Sequence, residues 1–225
     1  MDKKDTNKKV AHIVSHAHWD REWRYPIWHN RMLLEKLMRN LLDIMEKDSR
    51  YRAFVMDSQA VPIEDYLAIR PQDKDRIEKL VKDNRLQIGP WYILPDQFSV
   101  GAESLVRNLL AGRRYCDGLG RTMKIGYTTF GWGQPSQMPQ IYANFDIDTV
   151  LGGKNISQQR AGYNEYFWQG PDGSRIWATR LGVQGRANFF KFAVIPLVYG
   201  ADNIGPDWRF KLSDNGVLFH LADPD

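Results

Sequence analysis

The chain has 225 residues, 43% of them hydrophobic, which is enough for the core of one large domain. Its net charge of +4 is spread thinly, and no stripe of Lys and Arg is interleaved with aromatic residues, so the composition argues against a nucleic-acid-binding protein. The single cysteine, Cys116, excludes an internal disulfide bond and a cysteine-rich zinc cluster.

The amino terminus is polar and rich in lysine. Lys3, Lys4, Lys8 and Lys9 form the only dense basic run, and residues 1–9 are predicted to be a disordered tail. The segment lacks the apolar core of a signal peptide, and no stretch of about 18 apolar residues occurs in the sequence. We therefore expect a soluble, cytoplasmic protein with no membrane partner.

The first part of the chain alternates short apolar runs with longer amphipathic segments. Leu34, Leu37 and Leu41 belong to an apolar stripe with helical spacing, whereas runs such as AFVMDS are typical of buried strands. In chain order, the predicted elements are strand 10–15, helix 29–47, strand 53–58, helices 63–69 and 75–83, and strand 86–93.

The alternation continues beyond residue 100. A helix closed by Gly118 and Gly120 precedes a strand, and Pro171 to Ser174 form the turn of a β-hairpin. The predicted elements are helix 103–119, strand 123–129, helix 136–145, strand 149–154, hairpin 165–181 and strand 216–223. Strands that alternate with helices predict an α/β fold with a largely parallel sheet. Because the chain stops after a strand with no covering helix, we expect it to be a fragment of a longer protein.

In such folds, catalytic and ligand-binding residues lie at the carboxyl ends of the strands. In the segment HAHWD, side chains two residues apart point the same way on an extended chain, so His16, His18 and Asp20 are predicted to share one direction. Imidazole nitrogen and carboxylate oxygen are both zinc ligands. Two core histidines and a helix-capping aspartate would give the same spacing. Asp57 and Asp96 also follow strands, where each could cap a helix or close a turn.

Four segments, in the same order, resemble glycoside hydrolase family 38, the retaining α-mannosidases. The first is HIVSHAHWDREW, which is similar to the opening of the family's catalytic domain. The others are QIGPWYILPDQFSVGAESLVRNLLAG, KIGYTTFGWGQPSQMPQIY and EYFWQGPDGSRIWATRL. The resemblance identifies residues 1–225 as the N-terminal part of such a catalytic domain, an incomplete (β/α)7-barrel-like unit.

The resemblance implies a zinc-dependent α-mannosidase that hydrolyses terminal α-linked mannose, with one Zn²⁺ per active site. His18 and Asp20 would bind the metal, and Trp23 would form the floor under the mannose ring. Asp57 and Asp96 would form hydrogen bonds with sugar hydroxyls. The metal would contact the 2- and 3-hydroxyls of mannose as a template and electrostatic stabiliser. The expected partners are mannose-containing oligosaccharides or glycosides, the C-terminal remainder of the protein and, in a homo-oligomer, a second copy of the chain.

The sequence departs from the family at the nucleophile. A retaining glycosidase needs a carboxylate nucleophile and a second carboxyl as acid/base. Alignment on the QMPQ segment places Phe130 at the nucleophile position, and alignment on the Phe-Gly pair places Thr128 there. The acid/base would come from the terminal strand, with Asp223 preferred over Asp225. A further zinc-ligating histidine of the family lies beyond residue 225.

Two alternatives to an α-mannosidase are open. The first is a degenerate family member that binds sugar or metal without hydrolysis, because phenylalanine can neither attack an anomeric carbon nor bind zinc. The second is a metal-dependent enzyme similar to the polysaccharide deacetylases, which also use His and Asp clusters on a related barrel. The sugar-stacking Trp and the QMPQ segment argue against the second alternative.

Overall fold

The computed structural model describes residues 14–128, 133–152, 161–180 and residue 197. Within these ranges the predicted alternation of strands and helices is confirmed, and the chain has an α/β fold with mainly parallel sheets. The predicted tail at residues 1–9 and the predicted strand at 216–223 lie outside the described residues.

The first sheet is parallel and has the order β1-β2-β3. Its strands are β1 (Ser15–Ala17), β2 (Phe54–Met56) and β3 (Leu86–Gln87). A backbone hydrogen bond of 3.0 Å from the N–H of Met123 to the carbonyl oxygen of Ile88 connects the segment after β3 to the segment before the second sheet. The parallel register brings the carboxyl ends of the three strands to one edge.

The second sheet has the order β4-β5-β7-β6. It contains β4 (Gly126–Thr128), β5 (Thr149–Gly152), β6 (Glu165–Gln169) and β7 (Arg175–Arg180). The pairs β4–β5 and β5–β7 are parallel, whereas β6 and β7 form the predicted antiparallel hairpin. Gly173 in its turn has φ +88°, a conformation that favours glycine.

Five α-helices lie between the strands of the described chain. They are α1 (Ile27–Lys47), α2 (Val61–Ile69), α3 (Lys74–Lys82), α4 (Ala102–Leu119) and α5 (Met138–Ala143). Helix α1 buries the apolar stripe that its spacing predicts, including Leu34, Met38, Leu41 and Met45. No helix of the described residues is both long enough and apolar enough to span a bilayer.

Several predicted boundaries differ from the structure, and three of these differences are the most informative. The strand predicted at 86–93 ends at Gln87 because Gly89 has φ +71° and Pro90 has no N–H for a sheet hydrogen bond. Strand β1 begins at Ser15, so the predicted strand 10–15 coincides with it at one residue only, and residues 10–13 of that prediction lie outside the described ranges. Gly118 lies inside α4, and Gly120 alone ends that helix, with φ +140°.

The apolar side chains form two neighbouring cores. The first lies between the first sheet and helices α1 to α4, and the second packs around the second sheet. Cys116 is buried in the first core. Burial raises the pKa of this thiol to about 12, so the group is a packing residue at neutral pH.

Asp73 carries a buried charge that is compensated by three donors. Its carboxylate accepts hydrogen bonds from the hydroxyl of Tyr66 at 2.5 Å, Nε of Arg70 at 3.0 Å and a guanidinium nitrogen of Arg76 at 3.1 Å. Burial alone would raise the pKa of Asp73, but these hydrogen bonds outweigh it and lower the pKa from 3.8 to about 2.

We expect Asp73→Asn to lower the free energy of unfolding at pH 7 by about 2 kcal/mol. A carboxyl whose pKa is lower in the folded state contributes stability above its unfolded pKa, and this contribution disappears as the pH falls from about 4 to about 2. Urea unfolding of the variant and the wild type at several pH values measures the difference. Asp75→Asn, at an exposed position in the first turn of α3, is the matched control. A difference that stays constant from pH 7 to pH 2 would contradict the prediction.

Candidate metal and sugar site

The loops that follow β1 and β2 bring three of the predicted site residues together. His18 and Asp20 lie just after β1, and Asp57 follows β2. Asp57 and Ser58 have φ +44° and +56°, so the chain turns sharply at the end of β2. His16 lies within β1 and is exposed, and it does not line the cavity formed by the other residues.

His18 lies between two carboxylates. Its Nδ1 is 2.7 Å from Oδ2 of Asp57, and its Nε2 is 3.3 Å from Oδ1 of Asp20. The side chain of Asp57 is fully buried at 0% exposure, whereas those of His18 and Asp20 are 23% and 35% exposed. One nitrogen of the ring therefore faces the protein interior and the other faces the cavity.

The donor atoms facing the cavity have the separation of neighbouring zinc ligands. Zinc binds imidazole nitrogen and carboxylate oxygen at about 2.0–2.2 Å, so two such ligands on a tetrahedron are about 3.3–3.5 Å apart. The distance from Nε2 of His18 to Oδ1 of Asp20 agrees with this value. In the described part of the chain, no group of three or more His, Cys, Asp and Glu side chains could hold a metal ion. His18 and Asp20 thus fit two positions of a zinc site, and further ligands would have to come from elsewhere.

Asp57 uses one oxygen atom as a common acceptor. Its Oδ2 accepts from the backbone N–H of Trp19 at 2.9 Å and from Nε2 of Gln59 at 3.0 Å, in addition to its contact with His18. Its other oxygen, Oδ1, is buried and makes no hydrogen bond with the described residues. The carboxylate therefore binds the loop after β1 to the loop after β2.

Gln59 was not predicted from the sequence, yet it connects all three strand ends. Its Nε2 donates to the carbonyl oxygen of Trp19 at 2.8 Å, and its Oε1 accepts from the N–H of Leu94 at 3.1 Å. The residue is buried, and its backbone forms an isolated parallel bridge with Trp91. The only sequence signal was its position two residues after Asp57, which is too weak to separate it from an ordinary turn residue.

The cavity beside His18 has a volume of about 300 Å³, at the lower end of the range typical of ligand sites. Carboxylates, a guanidinium and an amide share its wall with apolar groups. The lining residues are His18, Trp19, Asp20, Arg21, Glu22, Ile27, Gln59, Ile93 and Leu94. Such a mixture of polar and apolar groups suits a sugar, which presents both hydroxyls and C–H surfaces.

An ion-pair cluster anchors the loop after β1. Arg21 donates two hydrogen bonds to the buried Asp65, of 2.7 and 3.0 Å, and Arg31 donates a third of 2.6 Å. Burial by itself would raise the pKa of Asp65, but the two guanidinium groups lower it below its usual value. Asn30 also donates to the carbonyl oxygens of this loop, so its conformation is fixed from several directions.

The roles of Trp23 and Asp96 stay predictions. Trp23 is 70% exposed, with the guanidinium of Arg24 at 4.8 Å from its ring centre, and Trp19 takes a place in the cavity wall instead. Asp96 accepts from the hydroxyl of Ser99 at 2.7 Å and from the N–H of Phe98 at 3.3 Å, so in this structure it closes a turn.

The predicted nucleophile and acid/base positions are not described by the structure. Phe130, Asp223 and Asp225 lie outside the described residues. Thr128 ends strand β4, but its side chain is not among those described. Their roles therefore stay predictions from the sequence.

The comparisons with known proteins agree on one family. Residues 8–186 match the model for the N-terminal domain of the glycosyl hydrolases family 38. A "putative mannosylglycerate hydrolase" from Halalkalibacterium halodurans is 39% identical over 181 residues, which are 75% of this chain and 20% of that protein. The chain thus spans about one fifth of the length of this relative.

Solved structures agree with this result. An α-mannosidase from Enterococcus faecalis V583 has a TM-score of 0.71 and 35% identity, covering 75% of this chain and 19% of its own. A second family 38 protein from Enterococcus faecalis has a TM-score of 0.65 and 30% identity, covering 89% of this chain and 21% of its own. A 4-α-glucanotransferase from Thermococcus litoralis, at 14% identity and TM-score 0.57, shares the fold alone, covering 76% of this chain and 27% of its own. The predicted resemblance is confirmed: the chain belongs to glycoside hydrolase family 38 and carries sequence of its N-terminal domain.

Proposed function

We propose that this chain contributes the metal-binding loops of a zinc-dependent, retaining α-mannosidase that hydrolyses terminal α-linked mannose. The observation that carries the proposal is the pair of donor atoms on His18 and Asp20, 3.3 Å apart at the wall of a cavity. Family membership and the similarity to an α-mannosidase support the same reaction class.

The residues of the proposed site would have different roles. His18 and Asp20 would hold the Zn²⁺, which when bound supplies a positive charge that attracts the sugar hydroxyls. Trp19 lines the cavity, and Trp23 is the proposed floor under the mannose ring, where an aromatic plane would cover the C–H face of the sugar. Asp223 is the proposed acid/base. Phe130 cannot act as a nucleophile, so hydrolysis would require a carboxylate from another part of the protein.

A second function is favoured by Phe130 itself. If no other carboxylate replaces the nucleophile, the protein would bind a mannose-containing ligand and the metal without hydrolysing the glycosidic bond. This candidate uses the same cavity and the same two metal ligands, and it differs only in the fate of the ligand.

An assay of the full-length protein with zinc separates the two functions. We expect release of 4-nitrophenol from 4-nitrophenyl α-mannoside and release of mannose from mannosylglycerate, the substrate in the name of one relative. Both activities should disappear on chelation of the metal and return when zinc is added. Absence of turnover with both substrates, together with mannose binding in calorimetry, would reject the hydrolase and support the binding protein. Absence of both turnover and binding would reject both functions.

A further inference from the structure

His18 separates Asp57 from the cavity. The side chain of Asp57 has no exposed surface, and its Oδ2 is 2.7 Å from the Nδ1 of His18, on the side of the ring opposite to Asp20. A carboxylate in this position has no surface to offer a sugar hydroxyl. It can, however, determine how the imidazole presents itself to the cavity.

We propose that Asp57, held in place by Gln59, is a positioning residue that fixes His18 as a metal ligand. The proposal rests on the zinc site proposed above and adds to it the residues that support the ligand. Asp57 accepts the N–H of Nδ1, so the lone pair of a neutral imidazole is at Nε2, beside Asp20. A carboxylate behind a metal-binding histidine also makes the ring a stronger donor to the metal.

Gln59 holds the carboxylate of Asp57 in one orientation. The N–H of Leu94 requires an acceptor, so the amide of Gln59 points its Oε1 toward Leu94 and its Nε2 toward Asp57. If the amide were turned over, Oε1 would face two acceptors, Oδ2 of Asp57 and the carbonyl oxygen of Trp19. The loop after β3 therefore selects one amide orientation, and that orientation orients the carboxylate.

Two simpler roles for Asp57 make different predictions. A sugar-binding role requires exposure, which the side chain does not have. A purely structural role would rest on the hydrogen bond from the N–H of Trp19, which holds the loop in place. That role predicts a loss of stability on substitution but no change in the metal affinity of the folded protein.

Substitution of Asp57 by asparagine tests the proposal in the full-length protein. Asn can keep an oxygen atom at the position of Oδ2, but it removes the charge behind His18. We expect Asp57→Asn to weaken zinc binding about 10- to 100-fold, as measured by competition with a chromophoric chelator. The visible absorption spectrum of the Co²⁺-loaded protein should change as well, because the orientation of the histidine ligand changes.

The control is Asp73→Asn, which removes the charge of another buried aspartate with three hydrogen-bond donors, far from His18 in the sequence. It should lower stability and leave the zinc affinity unchanged. If Asp57→Asn does not fold, Gln59→Met replaces it, because methionine is similar in size, removes the donor to Asp57 without adding a second buried carboxyl group, and should weaken zinc binding about 10-fold. Zinc affinity equal to the wild type in the folded variant would overturn the positioning role and leave the zinc site intact. A wild-type protein that binds no zinc would overturn both.

Discussion

Replacement of His18 by alanine is expected to weaken zinc binding by more than about 100-fold, because it removes a direct ligand rather than a residue behind one. Any hydrolysis of α-mannosides should fall with the metal content. The variant also removes one of the three donors to the buried Oδ2 of Asp57, so its stability should decrease by about 1–3 kcal/mol. Asp20→Ala should lose the metal to a similar extent without this penalty, because Asp20 lies at the rim of the cavity.

His16→Ala is the matched control for this prediction. It changes a histidine of the same HAHWD segment, two residues earlier, that is exposed in β1 and does not line the cavity. Emission spectroscopy of the purified full-length proteins measures their zinc content, and chelator competition measures their affinity. If His16→Ala loses zinc and His18→Ala keeps it, the ligand assignment is wrong.

The spacing of two residues in an extended segment predicted one shared direction for His16, His18 and Asp20, and the family resemblance then selected His18 and Asp20 as the metal ligands. The same reasoning does not extend to Asp57. Its position after β2 was predicted, but its burial depends on Gln59 and on the left-handed turn at Asp57 and Ser58, which pattern and propensity do not reveal. Gln59 was missed for a similar reason. Its three partners come from three loops, and no local pattern records contacts between residues 35 to 40 positions apart.

The helices show the opposite case. The apolar stripe of α1 predicted its extent to within two residues, because burial along one face is a local, periodic property of the sequence. Strand β3 was predicted too long since the apolar run through Ile88, Trp91 and Tyr92 continues past the point where Gly89 and Pro90 end the hydrogen-bond ladder. Trp91 is nevertheless fully buried, so the run correctly indicated the core and not the strand.

Gly112→Ala is expected to destabilise the fold by about 3 kcal/mol or more. Gly112 is buried in α4 at the point where this helix meets the chain after β3. A β-carbon added there would lie 2.2 Å from the carbonyl oxygen of Pro90, and 2.4 Å from backbone atoms of both Trp91 and Tyr92. These are backbone atoms, so the clash cannot be relieved by the rotation of a side chain.

The clash would move a segment that is held at both ends. The N–H of Tyr92 donates to Asn108 of α4, and its carbonyl oxygen accepts from the N–H groups of Ala60 and Val61. Moving this segment away from α4 would therefore strain or break these hydrogen bonds as well. Gly118→Ala in the same helix is the control. Nothing lies within 4 Å of its added β-carbon, and alanine should stabilise the helix by about 0.5–1 kcal/mol. Thermal and urea unfolding of both variants should give shifts of opposite sign. Shifts of equal sign and size would show that helix propensity, and not the close approach of α4 to the chain after β3, determines the residue at position 112.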